Sequence, residues 1–265
     1  MSAVRQAGRP LIESGAGESW DDLVAFSVLK GFSGIENLSG IPGTVGASAV
    51  QNIGAYGREA KDFISAVFAI SAEDLKERIF AKEECAFGYR DSFFKSSAGK
   101  KFIITKVAFS LPDETATPDI SYRDLSEFFA GRSAGNVSGA EVREAVLKIR
   151  KEKLPDLTRL GTAGSFFKNP VVSRAKGEAL KKKFPEIRVF DDGEKSKISL
   201  ASVLDKVCNL KGYKKGKVGL YEKQPLVIVN FGGASFEEIS VFAEEIVRVV
   251  REKTGLEIER EAEYV

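Results

Sequence analysis

At 265 residues with 43% hydrophobic content, the chain is long enough for one large or two modest domains and too apolar for wholesale disorder, while a net charge of +2 gives no reason to expect nucleic acid as a partner. It contains no histidine, which removes Ser-His-Asp and Cys-His nucleophiles, histidine general bases and most transition-metal sites, and Cys85 and Cys208 have neither the number for a disulfide framework nor a zinc-like spacing. The first residues, Met-Ser-Ala-Val-Arg-Gln, lack the apolar core of a secretory signal and no apolar run spans a membrane, so the chain reads as cytoplasmic, reduced and without a membrane partner.

Leu11-Ile12 reads as a short extended piece leading to Gly15-Ala16-Gly17. Ser19 with Asp22 forms a capping box for a helix to about Lys30, and Gly31 is its stop. A glycine turn before a helix invites a dinucleotide reading, because a helix N-terminus can hold a phosphate. Trp20 stands where the third glycine belongs and no βαβ unit follows, so a tight turn before a capped helix is the better reading. From Gly40 to Gly57 a long glycine-rich loop is expected, holding Gly40-Ile41-Pro42-Gly43-Thr44-Val45-Gly46-Ala47 and then Gln51-Asn52-Ile53-Gly54-Ala55-Tyr56-Gly57. Glycines let backbone approach a ligand, Ala47 and Ala55 suit a flat ring, and Gln51 and Asn52 offer side-chain amides. A loop of this length with apolar residues inside it is more often functional than filler.

Strands are expected over Ile64 to Ile70, Leu75 to Phe80 and Phe102 to Leu111, all rich in Val, Ile and Phe. Between the last two lies Phe87-Gly88-Tyr89-Arg90-Asp91-Ser92. Arg90 there suits a two-bond clamp on a carboxylate, although a solvated charge screened by Asp91 is the more ordinary reading. Asp119 to Phe129 fits strand or short helix. Ser138 and Glu141 cap a helix to about Glu152, and Pro155 marks a boundary.

Past that boundary, Gly161-Thr162-Ala163-Gly164-Ser165-Phe166-Phe167-Lys168-Asn169-Pro170 sets a serine between glycines and two phenylalanines. Without histidine Ser165 is no ordinary nucleophile, but it can donate a proton to a carbanion-like centre, and Lys153 and Lys168 suit phosphates; a glycine turn into a buried Phe pair is the competing reading. Ile198 to Cys208 reads as helix, Leu226 to Phe231 as a buried strand, and Lys211 to Lys217 as a solvated loop. Ser235 with Glu238 opens the strongest helix, with Ile239, Phe242, Ala243, Ile246 and Val250 on one face and Gly255 at its end. A closing strand is expected from Leu256 to Val265, where Glu257, Glu259, Glu261 and Glu263 alternate with apolar residues. The pattern is α+β.

Five of these segments, Ser39 to Gly46, Gln51 to Gly57, Phe87 to Ser92, Lys153 to Asp156 and Gly164 to Pro170, stand in the order seen in the UDP-N-acetylenolpyruvoylglucosamine reductases, which the chain resembles over nearly its whole length. Ala55-Tyr56-Gly57 and Gly88 to Ser92 look like the first type of that family, with its extra tyrosine-bearing loop. The resemblance implies an α+β fold in which a partial FAD-binding domain of the vanillyl-alcohol-oxidase kind is followed by an α+β substrate-binding domain. Residues 1–154 would be the second FAD subdomain, 155–254 the substrate domain, and 255–265 a strand returning to the FAD domain. The family's first subdomain, with its Gly-Gly-Gly-Ser-Asn loop, is not in the sequence as written and would be a partner for it.

The resemblance further implies that NADPH reduces FAD and that flavin N5 passes hydride to the enolpyruvyl ether of UDP-N-acetylglucosamine. The product would be UDP-N-acetylmuramate for peptidoglycan, a role in cell-wall biogenesis, cell shape and cell division. In that scheme Ser165 protonates the neighbouring carbon, and Arg90 and Glu261 stabilise the enolate. Ile41, Gly43, Gly46, Ala47, Gln51, Asn52, Gly54 and Ala55 would contact FAD, and Tyr56, Tyr122, Lys153, Asn169 and Gln224 the UDP-sugar; no metal is implied. Where the family reads Leu-Glu-Pro-Glu-Val-Arg, this chain has Ile258-Glu259-Arg260-Glu261-Ala262-Glu263, so Glu259 competes with Glu261. The alternative is a nucleotide-sugar-binding chain that does not hold FAD.

Overall fold

The β-branched and aromatic runs of the first half pair into one antiparallel sheet. A computed structural model describes residues 1–6, 9–112 and 115–263, and contacts divide the chain into Met1–Arg150 and Lys151–Val265. In the first unit the described elements begin with β1 (Ser2–Gln6), β2 (Arg9–Gly15), α1 (Trp20–Leu29), α2 (Val45–Gln51), and the short strands β3 (Gly54–Ala55) and β4 (Arg58–Glu59). β5 (Ile64–Ser71), β6 (Glu77–Ala81), β7 (Phe102–Ser110), α3 (Arg123–Phe128) and α4 (Gly139–Lys153) follow. The sheet order is β1-β2-β7-β5-β6, with β5 and β7 paired from Ile64↔Phe109 to Ser71↔Phe102.

Ile12, Ile64, Val67, Phe80, Val107 and Phe109 from the sheet share one core with Trp20, Leu23 and Val24 of α1 and Val45 and Ala49 of α2. Burying each large side chain of this kind stabilises by roughly 1.5–3 kcal/mol. The indole N–H of Trp20 is satisfied by the Leu38 carbonyl at 2.8 Å, so this polar atom costs the core nothing. Ser19 accepts from the Asp22 amide at 3.4 Å and caps α1, which is one half of the expected capping box. At the same end Arg143 of α4 grips Asp21 through two bonds of 2.6 and 2.8 Å. That guanidinium holds the Asp21 carboxyl below the usual carboxylate range.

Three expectations need correction. The stretch Gly40 to Gly57 is not a continuous loop, because Thr44 caps α2 and Val45, Ser48 and Ala49 bury one side of it. The basic run at 211–217 is solvated but not all loop: Lys214–Lys215 form a short strand, Tyr213 before it stacks on Phe242 at 5.8 Å, and Lys215 pairs with Glu245. And residues 256–263 form no strand: Leu256 and Ile258 turn into the second unit's core, leaving a single bridge, Phe167↔Arg260. The contact division falls at 150/151, just past Ile149, the last buried position of α4.

The second unit continues with β8 (Gly161–Ser165), β9 (Val171–Ser173), α5 (Arg174–Lys183), β10 (Val189–Asp192) and β11 (Lys195–Ile198). A short helix, α6 (Leu200–Ser202), runs into a π turn over Val203–Val207, and β12 (Lys214–Lys215), β13 (Val218–Leu220), β14 (Val227–Asn230) and α7 (Phe236–Thr254) complete it. Its sheets are β12-β13-β14-β8 and β10-β11-β9. Phe242, Ala243, Ile246 and Val250 of α7 join Phe166, Phe167, Leu220 and Ile228 in one core. Ser235 and Glu238 exchange both bonds of the capping box, and Gly255 ends the helix at φ 69°.

Candidate active-site residues

In the first unit the site is built on a two-residue hairpin. β3 and β4 pair as Gly54↔Glu59 and Ala55↔Arg58, leaving Tyr56 and Gly57 as the turn with φ of 47° and 85°. Positive φ at both positions matches the right-handed twist of a tight hairpin. Glycine accepts it freely, whereas tyrosine is strained by about 1–2 kcal/mol. Tyr56 is held there from several sides. Its carbonyl accepts from Asn37 Nδ2 at 2.9 Å, and its ring meets Tyr122 edge-on with centroids 5.4 Å apart. Burial pushes its phenol up to about 12, against the opposing pull of Arg150.

Arg90 is drawn into the same knot. Its Nη2 donates to the Gly54 carbonyl at 2.6 Å, Nη1 donates to the Asn52 carbonyl at 3.4 Å, and Glu59 Oε1 lies 3.5 Å from Nη1. Its side chain is only 16% exposed, and the Asp91 carboxylate caps the Ser92 amide instead. The screened surface charge is therefore the wrong reading; the guanidinium is oriented by backbone. Gly54 has to be glycine, since a Cβ there would stand 2.7 Å from Arg90 Nη1 and 2.9 Å from the Arg58 carbonyl oxygen. Asn52, Tyr56 and Arg90 all carry positive φ, and such strained positions cluster where function requires them.

The other first-unit candidates divide by what already occupies them. The Asn52 amide is spent inside the protein, donating to Gly88 O at 2.7 Å and Glu59 at 3.2 Å and accepting from the Lys61 amide at 3.0 Å. Gly46 packs on Ala16, where a Cβ would meet Ala16 Cβ at 2.8 Å. Gly43, at φ 119°, has no atom within 4 Å of a Cβ position and is exposed together with Ala47, while Ile41, Gln51 and Ala55 are half-buried. The first amides of α2 are satisfied by Glu18 O, Ala16 O and Thr44 Oγ1. This surface suits a flat ring lying on small side chains and is not built to take a phosphate at the helix start. Asn37, which composition gave no reason to single out, is fully buried beside Glu36, whose carboxyl burial pushes up.

In the second unit a β-bulge sets the serine. β8 pairs with β14 as Thr162↔Val229 and Ser165↔Val227, so Ala163 and Gly164 together oppose Ile228. Gly164 takes φ 81°, and Thr162 Oγ1 pins the bulge by donating to Ile228 O at 2.7 Å and accepting from the Gly164 amide at 3.0 Å. Ser165 emerges exposed, and the chain then buries Phe166 and Phe167. The Glu261 amide donates to Phe166 O at 2.8 Å, one residue from Ser165. Glu259 instead pairs through its backbone with Lys168 and points its 78% exposed carboxylate to Lys168 Nζ at 3.4 Å. Asn169 Oδ1 accepts from the Leu200 amide at 2.9 Å, and Gln224 sits in the β13–β14 turn with a buried Oε1 that has no hydrogen bond among the described residues. Lys153 is half-buried at the end of α4.

The bulge makes a clean prediction. A Cβ on Gly164 would meet nothing within 4 Å, so any loss on Gly164→Ala is torsional. We expect destabilisation of about 1–2 kcal/mol, read as a lower urea midpoint at unchanged slope. An unchanged midpoint would mean that the left-handed bulge does not form.

Among the described residues no helix is long and apolar enough to cross a membrane, and no group of three His, Cys, Asp or Glu side chains gathers as a metal site would. The family model for the C-terminal domain of UDP-N-acetylenolpyruvoylglucosamine reductase matches residues 156–265, and a model for an FAD binding domain matches residues 6–73. A UDP-N-acetylenolpyruvoylglucosamine reductase from Flavobacterium johnsoniae is 39% identical over 254 residues, 96% of this chain and 75% of that protein. One from an Azoarcus species is 42% identical over 255 residues, 96% of this chain and 73% of its own length. The crystal structure of UDP-N-acetylenolpyruvylglucosamine reductase from Thermus caldophilus is similar with a TM-score of 0.63 at 26% identity, over 95% of this chain and 71% of that one.

Proposed function

Because the chain belongs to the UDP-N-acetylenolpyruvoylglucosamine reductase family, we propose that it is an FAD-containing, NADPH-dependent oxidoreductase that converts the enolpyruvyl ether of UDP-N-acetylglucosamine to UDP-N-acetylmuramate. The observation that carries this reading is the bulge that leaves Ser165 exposed with the Glu261 backbone bonded to the next residue. In a chain without histidine, a serine held this way is suited to giving up a proton rather than attacking.

Residues 1–154 would hold FAD, with Gly43, Ala47, Gln51 and Ala55 against its flat ring. FAD, when bound, supplies the hydride for the methylene carbon of the enol ether, and NADPH restores it. The protein's own work concerns the charge and the proton. Arg90, its fork already aimed by two carbonyls, stabilises the carboxylate-bearing enolate; Glu261 assists; and Ser165 Oγ gives its proton to the carbon that bears the carboxylate. Glu261 is preferred to Glu259 because its amide is bonded to Phe166, the residue after Ser165, whereas Glu259 lies beside Lys168. Residues 155–254 would bind the UDP-sugar, with Asn169 and Gln224 toward the nucleotide or sugar, and Lys153, just before them, toward the phosphates. The unbonded, buried Oε1 of Gln224 is an acceptor suited to a donor from the ligand.

The first test is the visible absorption spectrum of the 265-residue chain after incubation with FAD and desalting. Retained flavin absorbance that NADPH bleaches and the enolpyruvyl sugar restores is the expected result. A colourless protein that still binds the UDP-sugar would overturn the oxidoreductase reading for this chain and leave a nucleotide-sugar-binding protein.

A further inference from the structure

Asn37 is fully buried on a single helical turn, Glu36–Leu38, and both protons of its amide nitrogen are used on segments remote from it in sequence. One goes to Tyr56 O and the other to Asp119 O, each at 2.9 Å. The first holds the strained residue of the hairpin turn. The second anchors a turn in which Asp119 Oδ1 accepts from Ser121 N and Ser121 Oγ at 2.9 and 2.6 Å, and the next residue, Tyr122, is the N-cap of α3. Arg58, two residues after Tyr56, adds a parallel tie to Asp119 at 3.1 Å. One side chain thus spaces two backbone segments so that the rings of Tyr56 and Tyr122 meet edge to face, with Tyr122 still 41% exposed.

We propose that Asn37 is a positioning residue for nucleotide-sugar recognition, fixing Tyr56 and Tyr122 as a preformed aromatic pair. The proposal rests on the reading above that these tyrosines contact the UDP-sugar. An asparagine is required because the position needs two donors in one plane aimed at two carbonyls; aspartate has the same shape and no donor. Preforming the pair spares the ligand the ordering of two side chains and a strained turn on binding.

The test is a double-mutant cycle read by calorimetric binding of UDP-N-acetylglucosamine, which requires no flavin turnover. Asn37→Asp and Tyr122→Ala are each expected to weaken binding by about ten-fold or more, and the double variant to fall below Tyr122→Ala by much less than the Asn37→Asp loss, because one of the two tyrosines through which Asn37 acts is already gone. A merely structural asparagine predicts additive losses, and additivity overturns the proposal. So does wild-type affinity in Asn37→Asp alongside weakened binding in Tyr122→Ala, an outcome that leaves the functional reading standing. If the unsubstituted chain does not bind the probe, or Tyr122→Ala binds as tightly as it does, the functional reading fails and the proposal goes with it. Should Asn37→Asp lose its near-ultraviolet circular dichroism, Asn37→Ser, which buries no charge, takes its place in the same cycle with the same outcomes.

Discussion

Replacing Ser165 with alanine is expected to slow reduction of the enolpyruvyl sugar by about two to four orders of magnitude while flavin reduction by NADPH proceeds at its normal rate. Thr162 Oγ1, the bulge and the paired Phe166 backbone hold this segment without the Ser165 hydroxyl, so the variant should keep its fold. What it lacks is the proton. Stopped-flow absorbance separates the two half-reactions, and hydride transfer followed by a slow, solvent-isotope-sensitive step is the signature sought. If both half-reactions fall together, Ser165 is not the proton donor.

Arg90→Lys carries the second large effect. Lysine keeps the charge but not the planar fork, and the native fork is aimed by the Gly54 and Asn52 carbonyls at 2.6 and 3.4 Å. An ammonium cannot reach both carbonyls and still offer two parallel bonds to a carboxylate. Turnover of the sugar should drop by about 100-fold or more, as when a single donor to a developing oxyanion is lost. A companion loss of roughly 1–3 kcal/mol in stability follows from the half-buried carbonyls left without a donor. Sugar turnover at the wild-type rate would remove Arg90 from the chemistry.

How much of this is legible in the sequence depends on whether the deciding interaction is local. α7 is readable to its ends because its capping box, its apolar stripe and its terminal glycine all lie within it. The hairpin β10–β11 turns on Gly193-Glu194, with Gly193 at φ 68°, and a glycine at the first turn position is a signal the sequence carries locally. α2 hides inside a glycine-rich stretch because its glycine answers to a distant residue, Gly46 packing on Ala16. The acidic alternation at 256–263 misleads for a related reason. Leu256 and Ile258 are apolar at period two because both point into a core, not because a neighbouring strand runs alongside.

The same distinction divides the site. Ser165, Arg90 and Gly54 belong to short motifs with unusual residue content, so they stand out in a list of letters. Asn37 does not, because its importance lies in the two carbonyls it reaches, 19 and 82 residues away. Asn52 is the reverse case: its amide stands out in the sequence as a ligand group, and in the fold it bonds Gly88, Glu59 and Lys61.

The bulge in β8 has a consequence for how this chain can vary. Side chains alternate along a strand, so one extra residue reverses the parity of everything after it. Thr162 and Ser165, an odd step apart in sequence, stand opposite Val229 and Val227, an even step apart. The face on which the serine hydroxyl emerges is therefore a matter of counting. Exchanging Ala163 for another small residue preserves the count, whereas deleting Ala163, or adding one residue beside it, turns Ser165 to the other side while leaving Gly164 to Pro170 in place.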